Sequence, residues 1–113
     1  MKRVVLQVNV KLEDHTGFSR FKPNEEVYKL SESQAKKYAE KWGVEYLQIT
    51  DCTFLPDKHP CFQRLKMYEL DYDEILYLDM DAIILPGCPN PFEVLAGHTL
   101  SAVRDYPWDG TPR

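Results

Sequence analysis

Apolar residues in this chain fall into short extended runs separated by stretches of helical period, the order expected when strands alternate with helices. Arg3 to Val8 carries Val4, Val5, Leu6 and Val8 and predicts a first strand, buried and central in an α/β arrangement. Asn9 to Leu30 has no clear period, and Gly17, Pro23 and Asn24 within it predict a loop. Ser31 then predicts a helix start. With Gln34 it fits a capping box, Ala35, Tyr38, Ala39 and Trp42 recur at i, i+3, i+4 and i+7, and Gly43 suits the left-handed position after the last turn. Val44 to Thr50 predicts the second strand of a β-α-β unit, with Lys36, Lys37, Glu40 and Lys41 on the outer, solvated face of the helix before it.

The second half repeats the alternation in shorter pieces. Asp51 to Pro60 is a proline-containing loop, and Cys61 to Leu70 predicts a helix with Phe62, Leu65, Met67 and Tyr68 as its apolar surface. Ile75 to Leu78 is a run of strand formers that suits a strand buried on both faces. Ala82 to Leu85 reads as a short extended piece closed by Pro86 and Gly87. Asn90 and Pro91 fit the N-cap and first position of a short helix through Leu95 or Ala96, stopped by Gly97. Thr99 to Arg104 predicts a returning strand, and the tail from Tyr106 no regular structure.

Charge enters where the Ile75 to Leu78 run ends. Asp79 and Asp81 flank Met80, and in extended geometry residues i and i+2 point the same way, so both carboxylates would converge on one object. A hard divalent cation, Mn²⁺ or Mg²⁺, is the natural candidate, because such ions prefer carboxylate oxygens and the two acids otherwise repel. The plainer alternative is a turn whose acids accept backbone N–H bonds and face water.

The surroundings of the pair resemble the nucleotide-sugar glycosyltransferases of the GT-A fold, particularly family 8. There an arginine-bearing helix precedes an apolar strand ending in D-x-D; the matching residues are Arg64, Leu65 and Lys66, then Ile75 to Leu78, Asp79 and Asp81, then Ile83 to Leu85. The resemblance implies a Rossmann-like, mostly parallel sheet flanked by helices, here as the N-terminal portion in a single domain over residues 1–113. It also implies a nucleoside-diphosphate sugar donor. Asp81 would be a direct metal ligand, and Asp79 would hold the ribose and join the metal. Arg64 would contact the donor, and the loop after the first strand would face the nucleotide, which makes Asn9 a donor contact. Similar enzymes complete the metal shell with a ligand far downstream, often histidine. His98 falls too early to match it, so the expectation is the donor-binding half of a transferase, a truncated relative or a fragment. The catalytic residues, the acceptor and the sugar are not specified.

Composition removes several other classes. A net charge of −4 argues against non-specific nucleic-acid binding. There is no run of roughly 20 apolar residues to span a membrane, and the basic amino terminus is followed by an apolar run too short for a signal peptide and broken by Gln7 and Asn9. The cysteines, Cys52, Cys61 and Cys88, form no C-x-x-C pair, so reduced thiols in a cytoplasmic setting are expected. His15 is the one residue in the long loop that tempts as a metal ligand, though a lone loop histidine is ordinarily solvated. Phe18, Phe21 and Tyr28 could stack on a base or anchor that loop. Lys58 and His59 are weaker phosphate candidates, and Asp105 a weak substrate contact carried over from the resemblance.

Two readings compete. A small non-catalytic α/β module binding a nucleotide or protein would use Asp79 and Asp81 structurally. A haloacid-dehalogenase-type phosphatase also ends an apolar strand in D-x-D. It usually has threonine or valine where this chain has Ile83, and needs a downstream lysine, of which there is none after Asp81. Open strand edges would favour a homo-oligomer.

Overall fold

The computed structural model describes residues 1–10, 24–58, 60–98 and 100–102. They form a three-stranded parallel sheet with helices, an α/β arrangement, in the order β1 (Arg3–Val8), α1 (Glu25–Trp42), β2 (Glu45–Ile49), a 3₁₀ helix (Pro60–Glu69), β3 (Glu74–Tyr77) and α2 (Pro91–Val94). The sheet order is β2-β1-β3. Val5 pairs with Tyr46 on one side and Leu76 on the other, so β1 is the central strand. Its residues Val4, Val5, Leu6 and Gln7 are fully buried.

Alternation along β1 assigns the two faces. Val5 joins Ala35 and Ala39 of α1 and Phe92 of α2 in the core cluster, with Trp42, Tyr46, Leu76 and Leu78 packed around them. Trp42 links the two helices, its ring 5.3 Å from Tyr38 and 6.5 Å from Phe92. The 3₁₀ helix also contacts β1.

Several expectations need correction. Helix α1 begins at Glu25, so 25–30 are helical rather than loop. Asn24 is its N-cap, accepting from Val27 N at 3.2 Å, and Glu25 and Glu26 suit the positive end of the helix dipole. Ser31 is no cap but a buried mid-helix residue. The far end is as expected, with Gly43 at φ 70° accepting the left-handed turn that other residues resist.

The 61–70 helix is present but winds as 3₁₀. Its buried residue is Gln63, while Phe62 and Tyr68, expected as apolar surface, stand exposed. Gln63 is held inward because its amide donates to Phe54 O and to Cys52 Sγ. Strand β3 is not buried on both faces. All four of its residues are half-buried, because β3 has β1 on one side and lies at the sheet edge among the described residues. Finally, residues 100–102 form no strand; the remainder of the expected Thr99 to Arg104 strand lies outside the described residues.

Asn90 and Pro91 open α2 as expected, with Phe92 N donating to Asn90 Oδ1 at 3.0 Å. The helix ends sooner than expected, at Val94, and 95–97 continue as a turn into Gly97. No helix among the described residues is long and apolar enough to cross a membrane.

Candidate functional site: an acidic turn at the carboxyl edge of the sheet

The ladder between β1 and β3 runs one bond past Tyr77, with Leu78 N donating to Leu6 O at 2.9 Å. The chain then leaves the sheet. Ala82 N donates to Asp79 O at 3.0 Å, closing a turn through Met80 and Asp81. The extended i, i+2 geometry expected for the pair is therefore absent. What orients the acids is Met80, which is only 4% exposed and pins the turn into the core while both aspartates stay exposed.

Helix α1 grips this segment from the other side. Ser31 Oγ donates to Ala82 O at 2.6 Å, and seven residues on, Tyr38 Oη donates to Leu85 O at 3.2 Å. Residues seven apart lie on one helical face, so one stripe of α1 holds the backbone from 79 to 85. Ile84, 8% exposed, is a second apolar anchor. Gln7 of β1 reaches the same place, donating to Ser31 Oγ at 2.9 Å and, more weakly, to Asp79 O at 3.5 Å.

Tyr28 lies one helical turn before Ser31, on the same side of α1. Its hydroxyl is pushed above the ordinary tyrosine value, first by burial and then by the negative fields of Asp81 and Asp79. Both carboxylates thus act on one point near the start of α1, despite the turn between them. Asp79, Asp81 and Asn9 all follow the carboxyl ends of parallel strands, where ligands of open α/β sheets bind. Asn9 is half-buried there, its N–H bonded to Ile49 O at 2.8 Å.

Arg64 is exposed on the 3₁₀ helix, and neither Asp79 nor Asp81 lies within ion-pairing distance of it. His98 is exposed well away in sequence, lining a groove beside β3 with Ile75, Leu76, Phe92, Leu95 and Leu100. Lys58 is exposed; His15, Phe18, Phe21, His59 and Asp105 lie outside the described residues. Cys52 and Cys88 are free thiols. Burial holds the Cys52 thiol above its ordinary value, with Asp51 adding to the effect.

Among the described residues no group of three histidine, cysteine or acidic side chains could enclose a metal ion. A pair is still compatible with Mg²⁺ or Mn²⁺, which commonly take one or two carboxylates and complete their shell with water and substrate phosphates. The donor chemistry fits a shared ion; it does not fit an all-protein cage.

No family model matches the chain, and no curated protein or solved structure does.

Sequence reasoning passed over Gln7 and Ser31 as supports of the turn. A signal was there. Gln7 is a lone amide inside an otherwise aliphatic central strand, and such a group has to find buried partners.

Proposed function

We propose that the chain is a metal-dependent glycosyltransferase of the GT-A type, or the donor-binding portion of one, acting on a nucleoside-diphosphate sugar. The observation that supports this most is the exposed Asp79 and Asp81 pair on a braced turn at the carboxyl edge of a parallel sheet, with both charges acting on Tyr28. Two carboxylates at such an edge suit an ion shared with a diphosphate.

In this reading Asp81 ligates Mn²⁺ or Mg²⁺ and Asp79 shares that ion or holds the ribose. The bound cation would supply charge stabilisation for the departing diphosphate, which favours the transition state over the ground state. Tyr28, kept protonated by burial and by the acids, is a hydroxyl donor for the donor substrate. Arg64, free of ion pairs among the described residues, has its planar fork available for a phosphate. Asn9 would contact the nucleotide from the end of β1.

Calorimetric titration with Mn²⁺ and a panel of UDP- and GDP-sugars tests the proposal. Donor binding that requires Mn²⁺ and disappears in Asp81→Ala is the expected result. A second reading, a non-catalytic α/β binding module, would use Asp79 and Asp81 structurally, in keeping with the turn that Ala82 N closes on Asp79 O. Failure of every donor to bind would leave that module in place and overturn the transferase.

A further inference from the structure

Behind the acidic turn runs a continuous line of side-chain hydrogen bonds joining α1, strands β2 and β1, and the turn. It begins on α1 at Glu32, whose carboxylate pairs with Lys36 at 3.2 Å and accepts from Gln48 Nε2 at 3.2 Å. Gln48 Nε2 also donates to Tyr46 Oη at 2.9 Å. Tyr46 Oη donates in turn to Gln7 Oε1 at 2.7 Å, Gln7 Nε2 to Ser31 Oγ at 2.9 Å, and Ser31 Oγ to Ala82 O at 2.6 Å. The Tyr46 hydroxyl accepts from Gln48 and donates to Gln7, and the Ser31 hydroxyl accepts from Gln7 and donates to Ala82 O, with Asp79 O a longer second acceptor at 3.4 Å, so the proton order from Gln48 to the turn is set in a single direction.

The register explains why the line exists. Gln7 sits opposite Gln48, and Tyr46 opposite Val5, so Tyr46, Gln48 and Gln7 share the sheet face that α1 covers. Gln7 is 0% and Ser31 1% exposed, leaving no water to substitute for a lost partner. An amide held at both ends cannot flip. Ser31 likewise has its acceptor lone pair engaged by Gln7, which leaves its proton to point at Ala82 O. Buried chains of this kind also strengthen cooperatively.

We propose that Gln7 and Ser31 are positioning residues for the Asp79–Asp81 turn, and that Tyr46 and Gln48, which form no hydrogen bond to the turn, set its geometry through them. The inference rests on the reading that the pair grips a divalent cation. Two carboxylates hold an ion well only at a narrow range of separations, and the backbone of residues 79–82 sets that separation. Without the Tyr46 hydroxyl, Gln7 Oε1 is buried with no donor and the amide is released from one end. The disturbance then reaches Ala82 O two bonds away.

The test uses Mn²⁺ alone as probe, titrated into the full chain and followed by electron paramagnetic resonance, alongside hydrogen exchange of the Ala82 amide. Tyr46→Phe is the principal variant because it removes one half-buried hydroxyl; Ser31→Ala is the second, and Ile49→Val is a core truncation on the same strand as Tyr46. Tyr46→Phe and Ser31→Ala are expected to weaken Mn²⁺ about tenfold, as loss of an outer support commonly does, and to speed Ala82 exchange, while Ile49→Val changes neither. Wild-type affinity and exchange in folded Tyr46→Phe would overturn the inference, and so would an equal effect of Ile49→Val. If the wild-type chain takes up no Mn²⁺, or Asp81→Ala takes it up equally, the cation reading fails by itself. Ala82 exchange then decides the positioning role alone: faster in Tyr46→Phe upholds it, unchanged overturns it.

Discussion

Asp81 raises the affinity of Tyr28 for its proton although the two residues lie on different elements, one on the turn after β3 and the other in the first turns of α1. Burial is the larger cause, and Asp79 adds to it. In Asp79→Asn/Asp81→Asn the Tyr28 pKa should fall toward the ordinary 10.0 yet stay above it, because burial remains. Tyrosinate absorbance against pH, with Tyr28→Phe as the reference, reads this directly. A Tyr28 titration identical in the double variant would show that the acids do not face it.

The same direction carries a stability consequence. Tyr28, Tyr46 and Tyr72 all have raised values, so between the ordinary 10.0 and the folded pKa the native state binds more protons than the unfolded chain. Stability from these groups is whole below the ordinary value and is lost as pH rises through the folded one. Thermal unfolding should therefore move to lower temperature above pH 10, and Tyr46→Phe should flatten that decline. An unchanged slope in the variant would count against it.

Asn24 caps α1, and the helix does not start at Ser31. Asn24→Ala should cost about 1 kcal/mol in denaturant unfolding, the usual loss for an N-cap oxygen. The Val27 amide, which donates to the Asn24 side chain, should become less protected against hydrogen exchange at the same time. Stability equal to wild type would place the helix start elsewhere.

Leu6 is fully buried on the central strand, whereas Ile75 is half-buried on β3 at the sheet edge. Leu6→Ala should cost roughly 2–5 kcal/mol, the range for emptying a core leucine, and Ile75→Ala less. Comparable losses in guanidinium titration would mean that β3 is covered on both faces.

Arg64 is exposed and makes no ion pair among the described residues. Arg64→Ala should leave stability within about 0.5 kcal/mol, as exposed substitutions usually do. Under the transferase reading it should also weaken donor binding in the Mn²⁺ titration. A folded variant that binds the donor as wild type does removes Arg64 from the site.

Local pattern by itself determined where β1, β2 and β3 run, the Gly43 end of α1 and the Asn90 start of α2, because apolar alternation and capping chemistry act over a few neighbours. It also marked Asp79 and Asp81 as a pair of charges at a strand end, with the water-facing turn as the plainer alternative. Only the assembled fold decided that the pair sits on a turn, that β3 lies at the edge among the described residues, and that Gln7 and Ser31 bond the turn's backbone with Tyr46 behind Gln7. Those facts depend on contacts between residues far apart in the chain. A strand's neighbours and a buried amide's partners are chosen by which surfaces meet, and no window of sequence contains both sides of that meeting.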